Sequence, residues 1–117
     1  MHLLRRGKVK DIYEVDEHEL EFRFSDRISV FDKIIPNKIP YKGETLARTS
    51  GYWFEVAKKL GILTHFIMLS SPNRIRVKRV NVIENYTLLK SDSVNYLIPL
   101  EFITRYYAYG SLYDRIE

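Results

Sequence analysis

Three short segments carry residue types at spacings that suit an anion. Gly7-Lys8-Val9-Lys10-Asp11 sets one glycine beside two lysines. A glycine lets backbone N–H groups approach a phosphate, and flanking ammonium groups neutralise its charge. Alone, this segment reads more simply as a hairpin turn with solvated lysines, being neither a Walker loop nor a triple-glycine loop. Ser25-Asp26-Arg27-Ile28-Ser29-Val30-Phe31-Asp32 packs two carboxylates, two hydroxyls and one guanidinium into eight residues. Polar groups that converge outside ladders mark active-site loops. A turn bonding its own backbone accounts for them equally well. Pro99 to Ser111 holds Arg105 and then Gly110-Ser111 at a helix start. An arginine fork and a helix-opening hydroxyl suit one phosphate, and a surface arginine with an N-cap serine is the plain alternative. A fourth segment, Arg74-Ile75-Arg76-Val77-Lys78-Arg79, puts its charges on one strand face. A solvated face is the simpler reading. Binding nucleic acid would call for interleaved aromatics, and the segment has none. His2, His18 and His65 are scattered without ligand spacing, so histidine predicts no metal site.

The elements that must position these residues follow from periodicity. Leu3 to Gly7 reads as a short strand and Val9 to Val15 as a second. Leu20, Phe22 and Phe24 alternate with Glu21, Arg23 and Ser25, the period of a third. Short connections suggest an antiparallel meander. Ser25 to Lys42 reads as irregular, broken by Pro36, Pro40 and Gly43. Glu44 to Leu60 is the strongest helix signal. Leu46, Ser50, Trp53, Phe54, Ala57 and Leu60 fall at helical spacing, with Trp53 and Phe54 expected in the core. Lys58 and Lys59 occupy the last turn, and Gly61 stands where a left-handed cap is expected. Gly51 weakens the middle of the helix by about 1 kcal/mol relative to alanine. Strands are expected over Thr64–Leu69, around Ile75 and Val77, near Asn95–Pro99 and over Leu100–Tyr109, where Arg105 would lie. Ser70 to Asn73 reads as a turn, and Ser111–Glu117 as the opening of a helix. The expected fold class is α+β, an antiparallel sheet of about five or more strands packed on one main helix, in a single lobe spanning residues 1–117. The last helix has no cap, glycine or polar tail behind it, and a cut inside a larger protein is expected.

Composition bounds the function. The chain has 117 residues, 45% hydrophobic and 29% charged, which excludes a disordered tail or a low-complexity linker. No apolar run is long enough for a membrane span, and Met1–Lys10 has basic residues without the apolar block of a secretory signal. There is no cysteine, so disulfides and thiol nucleophiles are out, and a cytoplasmic setting is expected. Nineteen Lys plus Arg against fifteen Asp plus Glu give a net charge of +4. That excess suits a phosphate ester or nucleic acid, and equally a soluble basic surface.

The segments in this order resemble the SAICAR synthetase family. The likeness rests on Gly7-Lys8-Val9-Lys10-Asp11-Ile12-Tyr13, on Ser25 to Asp32 running into Ile39-Pro40-Tyr41-Lys42-Gly43-Glu44, and on Pro99-Leu100-Glu101 with Arg105 and Gly110-Ser111. Tyr109 and Thr104 depart from the last signature, where a small and an apolar residue are usual. A later Asp-x-Lys-x-Glu-Phe-Gly motif is missing. The resemblance implies the nucleotide-binding N-terminal lobe of a larger, ATP-dependent carbon–nitrogen ligase. In that reaction ATP activates the carboxylate of carboxyaminoimidazole ribotide as an acyl phosphate, and the amine of aspartate attacks it. The implied ATP contacts are Gly7, Lys8, Val9 and Lys10 on the phosphates, with backbone near Leu97 and Ile98 at the adenine edge. The implied substrate contacts are Asp26, Arg27, Ser29, Asp32, Lys42, Gly43, Arg105, Gly110 and Ser111. Mg2+ ligands are expected mainly outside this chain, and no catalytic residue is assigned. Homo-oligomerisation is left open, no membrane is expected as a partner, and a basic β-rich module binding nucleic acid through Arg74, Arg76, Lys78 and Arg79 is the alternative.

Overall fold

The computed structural model describes residues 1–116; Glu117, which the helix expected at the end of the sequence includes, lies outside the described residues. The chain divides into two compact units, Met1–Val80 and Asn81–Glu117.

The first unit is α+β. Its strands are β1 (His2–Arg6), β2 (Lys10–Glu14), β3 (Glu19–Phe24), β4 (Arg27–Val30), β5 (Lys33–Lys38), β6 (Phe66–Ser71) and β7 (Arg74–Lys78), with helix α1 (Lys42–Lys59) between β5 and β6. Five strands form one antiparallel sheet in the order β1-β2-β3-β7-β6, and β4 pairs with β5 separately. The period of two on β3 and β7 sorts their side chains between the two faces. One face supplies Phe24, Ile75 and Val77 to the core, joined by Ala47 of α1, with Leu20, Phe22, Phe66 and Leu69 around them.

Helix α1 meets the sheet through small residues. Gly43, Ala47 and Gly51 are its buried positions, four residues apart. Phe54, beside that line, is half-buried and stacks on Phe66 with ring centroids 5.0 Å apart. Trp53 does not join the core and is 62% exposed. It stands roughly 120° around the helix from the small-residue line, at about 100° per residue. The helix ends as expected, with Gly61 at φ 75° after Leu60.

Residues 25–42 depart from the irregular segment expected. β4 and β5 form a hairpin with Val30 opposite Lys33. Phe31 and Asp32 make its two-residue turn, both at positive φ. Such turns usually signal themselves with Asn or Gly, and Pro36 lowers the strand signal of β5. Two paired strands are both edges, so a proline is tolerated there. The strand expected over Thr64–Leu69 begins and ends two residues later, so Ser70 and Ser71 are strand rather than turn.

The opposite face of the large sheet is a lattice of charge. Glu21 is 2% exposed and accepts a hydrogen bond from Arg23 Nε at 2.7 Å, with Arg76 Nε at 3.4 Å. Burial works to raise its pKa, but the Arg23 bond and charge, then Arg74 and Arg76, hold the carboxyl below the usual range. Arg23 also stacks 3.9 Å over the Tyr13 ring. Arg76 pairs with Glu19, and Arg79 with Glu14.

In the second unit neither expected strand forms among the described residues. Asn81 makes a lone parallel bridge with Tyr96. The Asn81 N–H donates to the Asn95 carbonyl at 2.9 Å, and the Leu97 N–H donates to Asn81 at 2.8 Å. Residues 100–109 are apolar enough for a strand, but nothing within the unit completes a ladder beside them, and unpaired strands are not stable. Arg105 is therefore in irregular chain. A 3-10 turn, Tyr86–Leu88, is capped by the Asn85 side chain, and α2 (Ser111–Ile116) follows Gly110 as expected. No described helix is long and apolar enough to cross a membrane.

Two glycines on one helix face should respond oppositely to alanine. A Cβ at Gly43 would overlap the Phe24 carbonyl, whereas one at Gly51 would stand 4.0 Å from Leu69 Cβ. Gly43→Ala should destabilise the fold by about 1–3 kcal/mol, as overpacking does. Gly51→Ala should stabilise it by up to about 1 kcal/mol. Urea unfolding of both variants checks the contrast in sign.

Candidate functional site

The turn between β1 and β2 is built from outside itself. The Gly7 N–H donates to the Lys10 carbonyl at 2.9 Å and closes the turn. A Cβ at Gly7 would stand 2.7 Å from that carbonyl oxygen, so only glycine allows the approach. The Gly7 carbonyl accepts from Arg27 Nη2 at 2.8 Å. The Val9 carbonyl accepts from the Ser25 N–H at 2.9 Å and the Ser25 hydroxyl at 2.8 Å. Both carbonyls are thus satisfied by the segment that follows β3. The N–H groups of Lys8 and Val9 have no acceptor among the described residues. Consecutive amides without a partner, beside lysines, are donors that an anion would satisfy.

An open cleft of about 770 Å³ adjoins this turn, walled by Arg5, Arg6, Lys8, Lys10, Ile12 and Ile34. Its cations differ in their partners. Arg6 lies 3.8 Å from Asp11, and Lys8 pairs with exposed Asp32 at 2.6 Å. Lys10 has no carboxylate within ion-pair distance among the described residues. Its ammonium instead lies 4.3 Å from the centre of the Phe22 ring and 5.6 Å from that of Phe24. Burial lowers its pKa below that of an ordinary lysine. A half-buried cation resting on two rings with no counter-ion is incomplete, and an anionic ligand would complete it.

The second cluster expected from sequence supports the fold around the turn. Asp26 accepts from the Gly43 N–H at 2.8 Å and satisfies an orphan donor at the start of α1, where Tyr41 provides no side-chain cap. Lys42 Nζ donates to the Arg27 carbonyl at 2.7 Å. Arg27 bonds Asp11 Oδ1 at 2.6 Å besides Gly7. Ser29 is half-buried on β4, and Asp32 sits at the hairpin tip against Lys8. Sequence reasoning missed Ile34 as a wall of the cleft, because the hairpin that presents it was read as irregular. Asp11 lay inside a quoted segment but received no role.

In the second unit the Arg105 guanidinium lies against Gly110, its Nη1 3.5 Å from where a Cβ would stand. Gly110 has φ 63° and immediately precedes Ser111, the first residue of α2. Of the two residues expected to share one phosphate, Arg105 thus lies beside the residue that precedes Ser111. Arg105 makes no hydrogen bond or ion pair among the described residues. Leu97 and Ile98 are exposed, with the Leu97 N–H already spent on Asn81. The basic stripe on β7 is less available, since Arg76 and Arg79 are engaged by Glu19, Glu21 and Glu14.

Comparison with known proteins identifies the family. The family described as SAICAR synthetase matches residues 3–117. The chain belongs to that family. It is 55% identical over its whole length to the phosphoribosylaminoimidazole-succinocarboxamide synthase of Thermoplasma volcanium, of which it covers 38%. It is 37% identical to the Saccharomyces cerevisiae enzyme of that name, with 93% of this chain and 38% of that one covered. The chain thus spans a little over a third of the curated relatives it matches. A SAICAR synthetase solved in complex with ADP superposes with a TM-score of 0.61 at 30% identity, covering 66% of this chain and 33% of its own. A Saccharomyces cerevisiae SAICAR synthase solved with SAICAR gives 0.61 at 32% identity, covering 68% and 33%. The SAICAR synthetase fold therefore includes this antiparallel sheet and its main helix.

The uncompensated Lys10 gives a test independent of any ligand. Its folded pKa lies below the unfolded value of about 10.4. Between the two, the unfolded chain binds more protons, so stability rises with pH. Lys10→Met should remove that rise and stabilise the chain at neutral pH. Urea unfolding of both proteins from neutral to alkaline pH checks it, and parallel pH profiles would contradict it.

Proposed function

We propose that this chain supplies the phosphate-gripping part of a ligase that uses ATP to join aspartate to carboxyaminoimidazole ribotide. The carrying observation is Lys10, a half-buried ammonium with no counter-ion among the described residues, on the wall of a cleft beside the free Lys8 and Val9 amides. The ADP and SAICAR complexes of its relatives support this reading.

In this account Gly7, Lys8, Val9 and Lys10 take the nucleotide phosphates. Their amides and ammonium groups reduce the charge that would repel an incoming carboxylate. The Arg105 fork takes the ribotide phosphate with Ser111, and Gly110 lets the guanidinium come close. The ribotide carboxylate attacks the terminal phosphorus of ATP, releasing ADP and leaving an acyl phosphate. The aspartate amine then displaces phosphate to form the amide. Holding two charged reactants in register is most of what such chemistry requires. Leu97 and Ile98, both exposed, mark the expected contact of the adenine edge. Ser29 and Asp32 remain candidates for the substrate side. Among the described residues no group of three or more acidic or histidine side chains could hold a metal ion.

Calorimetric titration tests the assignment. ADP should bind, and Lys10→Met should weaken it by about tenfold or more, the scale of a lost charge-assisted hydrogen bond. Arg105→Ala should weaken the ribotide and leave ADP unaffected. Undiminished ADP binding in Lys10→Met would overturn the nucleotide site. Equal losses of both ligands in Arg105→Ala would overturn the ribotide site.

A further inference from the structure

The hairpin β4–β5 reaches the β1–β2 turn through one side chain. Arg27 Nη2 donates to the Gly7 carbonyl at 2.8 Å and to Asp11 Oδ1 at 2.6 Å, while Nη1 lies 3.4 Å from Asp11 Oδ2. Its side chain is 18% exposed and that of Asp11 13%, so the bonds are largely shielded from water. A charge-assisted bond at that depth is worth more than a surface ion pair. Gly7 and Asp11 flank the stretch holding Lys8, Val9 and Lys10. One guanidinium thus ties down both shoulders of the turn. Its own backbone is fixed in turn, because the Arg27 carbonyl accepts from Lys42 Nζ at the start of α1.

We propose that Arg27 is a positioning residue for the nucleotide phosphates: it holds the Gly7 carbonyl and Asp11 so that the Lys8 and Val9 amides stay free of protein partners. It acts through the turn and touches neither ligand. The inference rests on the nucleotide reading above and assigns Arg27 to that side instead of the ribotide side. The guanidinium sets Nη2 between the Gly7 carbonyl and Asp11 Oδ1 and Nη1 toward Asp11 Oδ2, while Nε has no partner among the described residues. Lysine, with one nitrogen, loses the two-pronged contact with Asp11. Without the clamp the Gly7 carbonyl is free to turn toward the phosphate, and a small misplacement in a phosphate cradle is costly.

The test compares Arg27→Lys, Asp11→Asn and Lys10→Met with the unmodified protein in three readouts: ADP affinity, ribotide affinity and amide hydrogen exchange. Arg27→Lys should weaken ADP by about tenfold with ribotide affinity unchanged. It should also speed exchange at the Gly7 amide, which closes the turn on the Lys10 carbonyl, while the core of β3 and β7 keeps its protection. Asp11→Asn retains the side chain's shape and should move the same readouts in the same direction, by less. It keeps the test alive if Arg27→Lys fails to fold. Unchanged ADP affinity in the Arg27 and Asp11 variants, with Lys10→Met still weakened, would overturn the clamp and leave the nucleotide site standing. Weakened ribotide with ADP unchanged in Arg27→Lys would overturn it as well, because Arg27 would then meet the substrate. Unchanged ADP affinity in Lys10→Met would overturn the nucleotide reading and the proposal with it.

Discussion

The ammonium of Lys10 sits on the rings of Phe22 and Phe24 without a carboxylate among the described residues to balance it, and the other parts of the site are arranged around that imbalance. The rings belong to β3, the central strand of the sheet, so the cation is held by the same residues that build the core. Burial costs a charged group solvation, and folding ordinarily avoids that cost or pairs the charge. Glu21 on the opposite face is the contrasting case: it is more deeply buried, but Arg23 and Arg76 surround it. One sheet therefore carries a compensated charge on one side and an uncompensated charge on the other. The compensated one belongs to the scaffold; the uncompensated one carries the proposed nucleotide site.

The same division explains which polar residues are free. Asp26, Arg27, Ser25 and Lys42 look like reagents in the sequence, but each is bonded to backbone or to a partner side chain. They fix the start of α1, the hairpin and the glycine-lysine turn to one another. Lys10, Arg105 and the Lys8 and Val9 amides make none of those commitments. Residue type alone could not separate the two groups, because a carboxylate that caps a remote helix and one that meets a substrate are the same letter.

Much of the fold was legible. The alternation on β3 and β7 and the spacing on α1 survive translation into structure because each element buries one face. Where the reading went wrong, the deciding term was non-local. Trp53 fell at helical spacing, yet Gly43, Ala47 and Gly51 bring α1 close enough to the sheet that the large ring faces outward. The β4–β5 hairpin was hidden by Phe31-Asp32, which adopt positive φ without the usual turn residues. Residues 100–109 have a strand's composition but no neighbouring strand in their unit. The expectation was Arg105 and Ser111 at one phosphate, and the guanidinium lies beside Gly110, the residue before Ser111. Which residues act as supports was not legible, since Arg27 and Gly7 are 20 positions apart.

The central claim is that Lys10 is an unfinished ion pair awaiting a phosphate. Following the Lys10 side-chain resonances by NMR through an alkaline titration, without and then with ADP, tests it most directly. The account predicts a pKa below that of an ordinary lysine in the free protein and an upward shift once ADP is bound. A Lys10 that titrates like an exposed lysine, or one whose pKa is indifferent to bound ADP, would contradict it.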